Sequence, residues 1–364
     1  MVLSDSQNHH HSGTSSRPEL ELSEELTQFL DQLPSHKHNK WIKRALAVLM
    51  RMAEEDLERL DWKILTAAIE DMERGFQTFY PYRHTRKVTI FGSARISALS
   101  SEYRLAVEFA RRITEAGFMV LTGGGGGIMQ AGNEGAGREH SFGLNIQLPF
   151  EQVSNHFIAD DPKLINFKYF FTRKLFFLRE SDAVALFPGG FGTQDEAFET
   201  LTLCQTGKYG PAPLVLIDEP DGNYWHIWNE QICNNLLQRG LINPEDLNLY
   251  TITNNLEAAC NTIRYFYRVY HSSRYVNQQY VMRLNDELSD EQVEQLNEEY
   301  QDILVEGSFK KSRALPQETR DETSHLPRLV FHFNQRSFGR LYQMINTINQ
   351  FQTVSTIEKH PEWK

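Results

Sequence analysis

The sequence predicts an α/β fold: a Rossmann-like, doubly wound parallel sheet, with a helical extension before it and a mixed helix-and-strand extension after it. Two observations carry this. From Lys87 to about Leu249, short apolar runs alternate with amphipathic segments, the rhythm of βαβ units whose parallel strands need helical crossovers. Two of those runs end in glycine-rich turns that lead into helical pattern, and ligands of such sheets bind at the carboxyl ends of the strands. The expected layout is a disordered tail over 1–20, a helical extension over 21–80, the Rossmann-like domain over 81–250 and a C-terminal extension over 251–364.

Each element has its own signal. The N-terminal "MVLSDSQNHHHSGTSSRPE" is polar and has no hydrophobic centre, so neither a packed element nor a secretory leader is expected there. Over 22–75, Ile42, Leu46, Leu49, Ala53, Leu57 and Leu60 recur every three or four positions, which reads as helices. Strands are expected at 88–91, 118–121, 143–148, 183–187 and 214–217. Helices are expected at about 101–116, 127–138, 163–180, 193–206 and 224–239, enough to cover both faces of the sheet. Beyond Leu249 the rhythm weakens. Residues 253–271 read as another helix, 289–303 as an acidic helix or solvated segment, 312–327 as a polar linker, and "RLVFHF" and "FGRLYQMINTINQF" as a last strand and helix.

Composition narrows the function. A formal net charge of −11 gives no general electrostatic grip on nucleic acid or an anionic membrane, so an anionic small ligand must be held by local geometry. No apolar run approaches the roughly 18 residues of a membrane-spanning helix, and a cytoplasmic protein is expected. Cys204, Cys233 and Cys260 are odd in number and lack zinc-site spacing; they read as reduced thiols, with no metal and no cofactor expected.

The two glycine turns are "VLTGGGGGIMQAGNEGA" and "ALFPGGFGTQDEAFE". Neither is a dinucleotide fingerprint. A GxGxxG frame begun at Gly123, Gly124 or Gly125 ends on Ile128, Met129 or Gln130, one begun at Gly190 ends on Asp195, and no GK[ST] occurs. What both offer is free backbone amides at a helix N-terminus, a seat for phosphate. If Gly192 or Thr193 opens the second helix, Glu196 stands one turn onward on the same face. In a nucleoside 5′-monophosphate, that step from the phosphate reaches the ribose. A carboxylate there suits glycosidic cleavage, whose oxocarbenium-like state it stabilises while it positions or activates water.

Residues from about Lys87 to Leu249 also resemble the LOG family. Its PGGxGTxxE signature stands complete as Pro188, Gly189, Gly190, Phe191, Gly192, Thr193, Gln194, Asp195 and Glu196, and its Arg-Lys pair matches Arg173 and Lys174 in "FFTRKLFF". "TGGGGGIMQAGNEGA" and "GLNIQLPFEQ" are similar to the long bacterial members. The resemblance implies a phosphoribohydrolase that cleaves nucleoside 5′-monophosphates to free base and ribose 5-phosphate. It implies Glu196 as the acid acting at the ribose and Arg173 as its catalytic partner. Lys174 and the amides of Gly189, Gly190, Phe191, Gly192 and Thr193 would bind an AMP-like substrate. It also implies at least a homodimer, paired through helices beside the site. The sequence departs from many small members at Gln194-Asp195, where they have Leu-Glu, and in the phenylalanines that flank Arg173-Lys174 in place of methionine.

Other residues have two readings. Ser93 binds ligand or caps a helix. Gly124 and Gly125 contact phosphate or serve close helix–strand packing. Cys204 reads as a packed thiol, and the rings of "NFKYFFTRKLFFL" as core or subunit interface, with one of them available to a base. Arg336 and Arg340 are candidates for an effector. The competing functional class is a non-catalytic nucleotide-binding or sensing module, or a carrier of a phosphorylated cofactor; retention of both Arg173 and Glu196 favours the enzyme. A lysine decarboxylase lacks an evident Schiff-base lysine.

Overall fold

The computed structural model describes residues 19–148, 154–319 and 321–352, so the tail expected over 1–20 lies almost wholly outside the described residues. The chain divides into two compact units, one up to Thr66 and one from Ala67. The first contains α1 (Glu19–Gln32), α2 (Asn39–Glu54) and the opening turns of α3 (Arg59–Phe79). Leu33-Pro34-Ser35 separates α1 from α2 with a short 3₁₀ turn, its end tied by Asn39 Nδ2 donating to Pro34 O at 2.9 Å. No residue of α2 is buried.

The second unit carries the sheet. Its strands and helices run β1 (Lys87–Phe91), α4 (Ser101–Glu115), β2 (Met119–Thr122), α5 (Ile128–Ala136), β3 (Ser141–Ile146), β4 (Leu164–Phe167), α6 (Phe170–Arg179), β5 (Ala183–Leu186), α7 (Phe191–Gln205), β6 (Leu214–Ile217), α8 (Tyr224–Ile232), β7 (Thr251–Thr253) and α9 (Leu256–Phe266). All seven strands are parallel, in the order β4-β3-β2-β1-β5-β6-β7. This is the expected Rossmann-like class. Strand residues alternate between two cores: Val88, Ile90, Val120, Ala183 and Ala185 pack with Phe109 and Ile113 of α4, whereas Phe91, Leu121, Val184 and Leu186 pack with Phe176, Phe177 and Trp225. Burial on both faces is why β5 and β6 read as unbroken apolar runs.

The chain winds outward from β1 to β4 and then returns to β5 on the other side of β1. At that reversal the connections leave β1 and β5 in opposite directions and open a crevice at their carboxyl ends.

A second sheet follows: β8 (Tyr270–Val276), β9 (Gln279–Leu284), β10 (Leu304–Ser312) and β11 (Arg328–Phe333), antiparallel in the order β10-β11-β9-β8. With α10 (Asp290–Glu299) and α11 (Phe338–Gln350) it encloses a core of Phe309, Phe331, Phe333, Leu341 and Ile345 that also takes in Cys204 of α7. Tyr342 donates to Cys204 Sγ at 3.2 Å, and burial pushes that thiol up to about 12, so it is a packed thiol as expected.

Four expectations about the elements are corrected. The helix expected over 163–180 is a strand, β4, followed by α6, because the residues at its start pair with β3. Beyond residue 250, β7 completes the first sheet; three residues are too few for a periodic signal. The helix expected over 253–271 stops at Phe266, and Tyr270 opens a hairpin whose turn places Asn277 at φ +56°, a conformation asparagine tolerates. The polar linker expected over 312–327 is anchored: Glu318 is fully buried and takes bonds from Arg283 Nη2 at 2.7 Å and Arg328 Nε at 3.4 Å. Among the described residues no helix is long and apolar enough to cross a membrane.

Candidate functional site

A cavity of about 860 Å³ occupies the crevice at the sheet's reversal point. Ser93 follows β1 and Gly123 follows β2; Pro188, before the second glycine turn, follows β5. Ser93 joins the two turns: its N–H donates to Pro188 O at 3.0 Å, and its carbonyl accepts from Ile128 N, the first residue of α5, at 3.0 Å. Of the expected site residues, Ser93, Arg173, Gly189, Gly190, Phe191, Gly192, Thr193 and Glu196 all line this one cavity.

The three glycines of the second turn are there for different reasons. A Cβ on Gly189 would lie 2.1 Å from Thr193 Oγ1 and 2.9 Å from Ser93 N, so this glycine lets the protein pack against itself. Added to Gly190 or Gly192, it would meet nothing within 4 Å, and neither position needs a left-handed backbone. Among the described residues, none fills the space beside these two glycines. The turn is braced from below by Tyr224, whose hydroxyl donates to Gly189 O at 2.6 Å and accepts from Gln194 Nε2 at 2.6 Å. Gln194 N makes an early helical bond, to Gly190 O at 3.0 Å, so the amides ahead of it sit at the positive end of α7.

Glu196, one turn into α7, is 7% exposed, and its Oε2 is buried with no hydrogen-bond partner. Burial pushes its carboxyl up to about 7, aided by Glu199 and Asp195 and opposed by Lys174 and Arg173. Arg173 reaches the same cavity from α6. Its Nε donates to Leu144 O of β3 at 2.7 Å, and its guanidinium lies 5.0 Å from the centre of the Phe177 ring. Burial lowers it to about 10, with Glu196 pulling the other way, so it stays cationic near neutrality. Gly123 makes this placement possible: a Cβ there would stand 2.5 Å from Arg173 Nη2. The pair is a cation beside a carboxyl poised to gain or lose a proton near neutral pH, the setting of a general acid or base.

Three expected ligand residues do not line the cavity. Lys174 Nζ is held by Glu199 at 2.7 Å and Asp195 at 2.8 Å, and lies 3.9 Å from Glu196; it fastens the acids of α7 to α6. Its ammonium is raised above the ordinary lysine value, since these carboxylates outweigh the effect of burial. An imine-forming lysine needs the reverse. Gly124 has φ +72°, and Asn155 binds the carbonyls of Gly124 and Gly125 at 2.8 and 3.0 Å, so these glycines shape the turn. Sequence reasoning missed Gly123 and Tyr224 as supports of the site: the first lies inside a run of five glycines, and the second is 30 residues from its partner Gln194. Arg340 spends its guanidinium on Asp302 at 2.9 and 3.0 Å and stacks on Tyr300.

Residues 124–263, which include Arg173, α7 and the whole PGGFGTQDE turn, match the family model described as "Possible lysine decarboxylase". That model is the LOG-family domain. The LOG-family match covers well under half of the chain and leaves out β1, β2 and the antiparallel sheet. Solved structures with a likeness to the chain include TM1055, a structural-genomics protein, at 22% identity over 49% of this chain and 98% of that one, with a TM-score of 0.36. Two others are the molybdenum cofactor binding protein of Rippkaea orientalis (20% identity, 50% and 96% covered, TM-score 0.35) and DNA processing protein A of Helicobacter pylori (16%, 50% and 80%, 0.35). No curated protein matches the chain significantly. The LOG family fits a phosphoribohydrolase-like function.

Proposed function

We propose that the protein hydrolyses the N-glycosidic bond of nucleoside 5′-monophosphates, releasing free base and ribose 5-phosphate. The observation that carries this is the buried carboxyl of Glu196, one oxygen of which has no hydrogen-bond partner, held near its protonation midpoint beside Arg173 and one helical turn beyond a glycine turn left open for a ligand. The phosphate sits on the amides at the start of α7. That places the ribose against Glu196 and leaves the base among Met129, Ile146, Leu148 and Phe170, the apolar part of the cavity lining. As the C1′–N bond breaks, its electron pair leaves with the base, which takes a proton from solvent. The ionised Glu196 stabilises positive charge at C1′ and accepts the proton of the water whose oxygen bonds to C1′. Arg173 keeps Glu196 ionised and steadies negative charge elsewhere on the substrate.

Chromatography of a panel of nucleotides and their nucleosides tests this. The expected outcome is base and ribose 5-phosphate from at least one monophosphate and little from the matching nucleoside, which lacks the group held by the turn. Tight nucleotide binding without base release would replace the hydrolase with a binding or carrier protein.

We also propose that the chain works as a homodimer or larger homo-oligomer. Phe170, Phe171, Leu175, Phe191 and Phe198 are exposed large apolar side chains on α6 and α7, and a patch of that kind is the mark of an interface. Light scattering should give at least twice the mass of one 42.3 kDa chain; a monomer across the micromolar range rules the pairing out.

A further inference from the structure

α6 starts without a cap of its own. Its N-cap, Tyr169, offers no side-chain hydrogen bond, and no glycine or proline marks the boundary between β4 and α6. The missing cap comes from a different helix, about a hundred residues earlier. Asp71, in the middle of α3, is fully buried although its neighbours Glu70 and Glu73 are exposed. Its carboxylate accepts from Lys168 N at 3.0 and 2.9 Å, from Tyr169 N at 3.2 Å and from Thr172 Oγ1 at 2.7 Å. Arg74 Nη2 closes the set at 2.7 Å. A carboxylate so placed pairs the N-cap amide and the amide before it, ties down the Thr172 hydroxyl in the first turn, and complements the positive end of the helix dipole.

The clasp has a second point, one turn along both helices. Gly75 stands four residues after Asp71, and Phe176 four after Thr172; a Cβ on Gly75 would lie 2.2 Å from Phe176 Cζ, so the Phe176 ring of α6 packs directly on the backbone of α3 there. Phe79, four residues further on, stacks on the same ring at 6.0 Å. Arg173 follows Thr172 directly, and its N–H makes a first-turn bond of α6, to Tyr169 O at 3.2 Å.

We propose that Asp71 is a positioning residue of the candidate active site: it sets where α6 begins, and thereby where Arg173 meets the cavity and Lys174 meets the acids of α7. This rests on the hydrolase reading for its effect on rate, and on the hydrogen bonds alone for its effect on α6. It gives the helix preceding the sheet a part in catalysis without contact with substrate. Displacement of a group by about 1 Å can cost two orders of magnitude in rate, so the start of α6 matters to Arg173 even though Asp71 lies outside the cavity.

The test compares Asp71→Ala and Asp71→Asn with the wild-type chain by hydrogen–deuterium exchange and by steady-state kinetics, well below their melting temperatures. In Asp71→Ala, amides of 168–174 should exchange about tenfold faster or more while β1 and β5 keep their protection. kcat should fall by roughly one to two orders of magnitude with a much smaller change in KM. Asp71→Asn keeps one acceptor oxygen and should recover part of kcat. A folded Asp71→Ala protein with a lowered Tm but wild-type kcat and unaltered exchange at 168–174 overturns the proposal; if Asp71→Ala does not fold, Asp71→Asn is judged by the same two readouts. Should the wild-type chain release no base, the hydrolase reading fails. Asp71 is then judged by exchange and by calorimetric binding of ribose 5-phosphate, and wild-type values of both in Asp71→Ala overturn it.

Discussion

Glu196→Gln should lower kcat by a factor on the order of 10² or more, as expected when a group that stabilises transition-state charge and accepts a proton is replaced by a neutral amide of the same shape. The same substitution should leave the protein folded and stabilise it above neutral pH. The sign follows from burial: the carboxyl titrates near 7 when folded, against an ordinary 4.5, so its charged form is disfavoured by the fold. Folding stability from this group is present below the unfolded value and is lost as pH rises through about 7. The shift corresponds to roughly 3 kcal/mol as an upper bound. The glutamine variant should therefore outlast wild type at about pH 8, and the difference should shrink as pH falls toward the unfolded carboxyl value. In the wild-type protein kcat should rise through about pH 7 as the carboxylate forms, a limb that the variant loses. Thermal melts and pH–rate profiles of the two proteins check both claims. Near wild-type turnover in Glu196→Gln would move the acid's role to Asp195, which lines the cavity rim but is exposed and tied to Lys174.

Arg173→Ala should cost a comparable factor, on the order of 10² in kcat, because a fixed guanidinium is replaced by solvent. A second effect separates it from a simple loss of binding. Arg173 is one of two cations that hold Glu196 toward its ionised form, the other being Lys174. Without it, the ascending limb of the pH–rate profile should move to higher pH. Arg173→Lys should recover little: the guanidinium is oriented by Leu144 O and by the Phe177 ring, and an ammonium cannot repeat that planar geometry. A KM increase with unchanged kcat and an unmoved limb would make Arg173 a binding residue only.

Much of the site was legible in the sequence because its parts are local. The second glycine turn, the first turn of α7 and Glu196 lie within nine consecutive residues, and helical spacing alone puts Glu196 beyond the turn. Arg173 was legible only through the resemblance, since a charged residue in a helix has no local mark of function. Lys174 shows what the resemblance leaves open: the position matches, while its ammonium is held by Asp195 and Glu199 of α7 and the residue is not among those lining the cavity.

The sequence by itself determined the βαβ rhythm, because strands buried on both faces are mostly apolar along their length and parallel strands must be joined by crossover connections, usually helices. It also determined the two glycine turns, whose amides and helix starts depend only on neighbouring residues. The tertiary structure alone decided what lies between distant residues. β4 is a strand because β3 offers it a partner, and α6 begins at Phe170 because Asp71, far away in the chain, accepts the hydrogen bonds that no neighbour of Tyr169 accepts. Glu196 is near its protonation midpoint because packing removes water from it, and no property of a nine-residue motif fixes how much water the folded chain excludes.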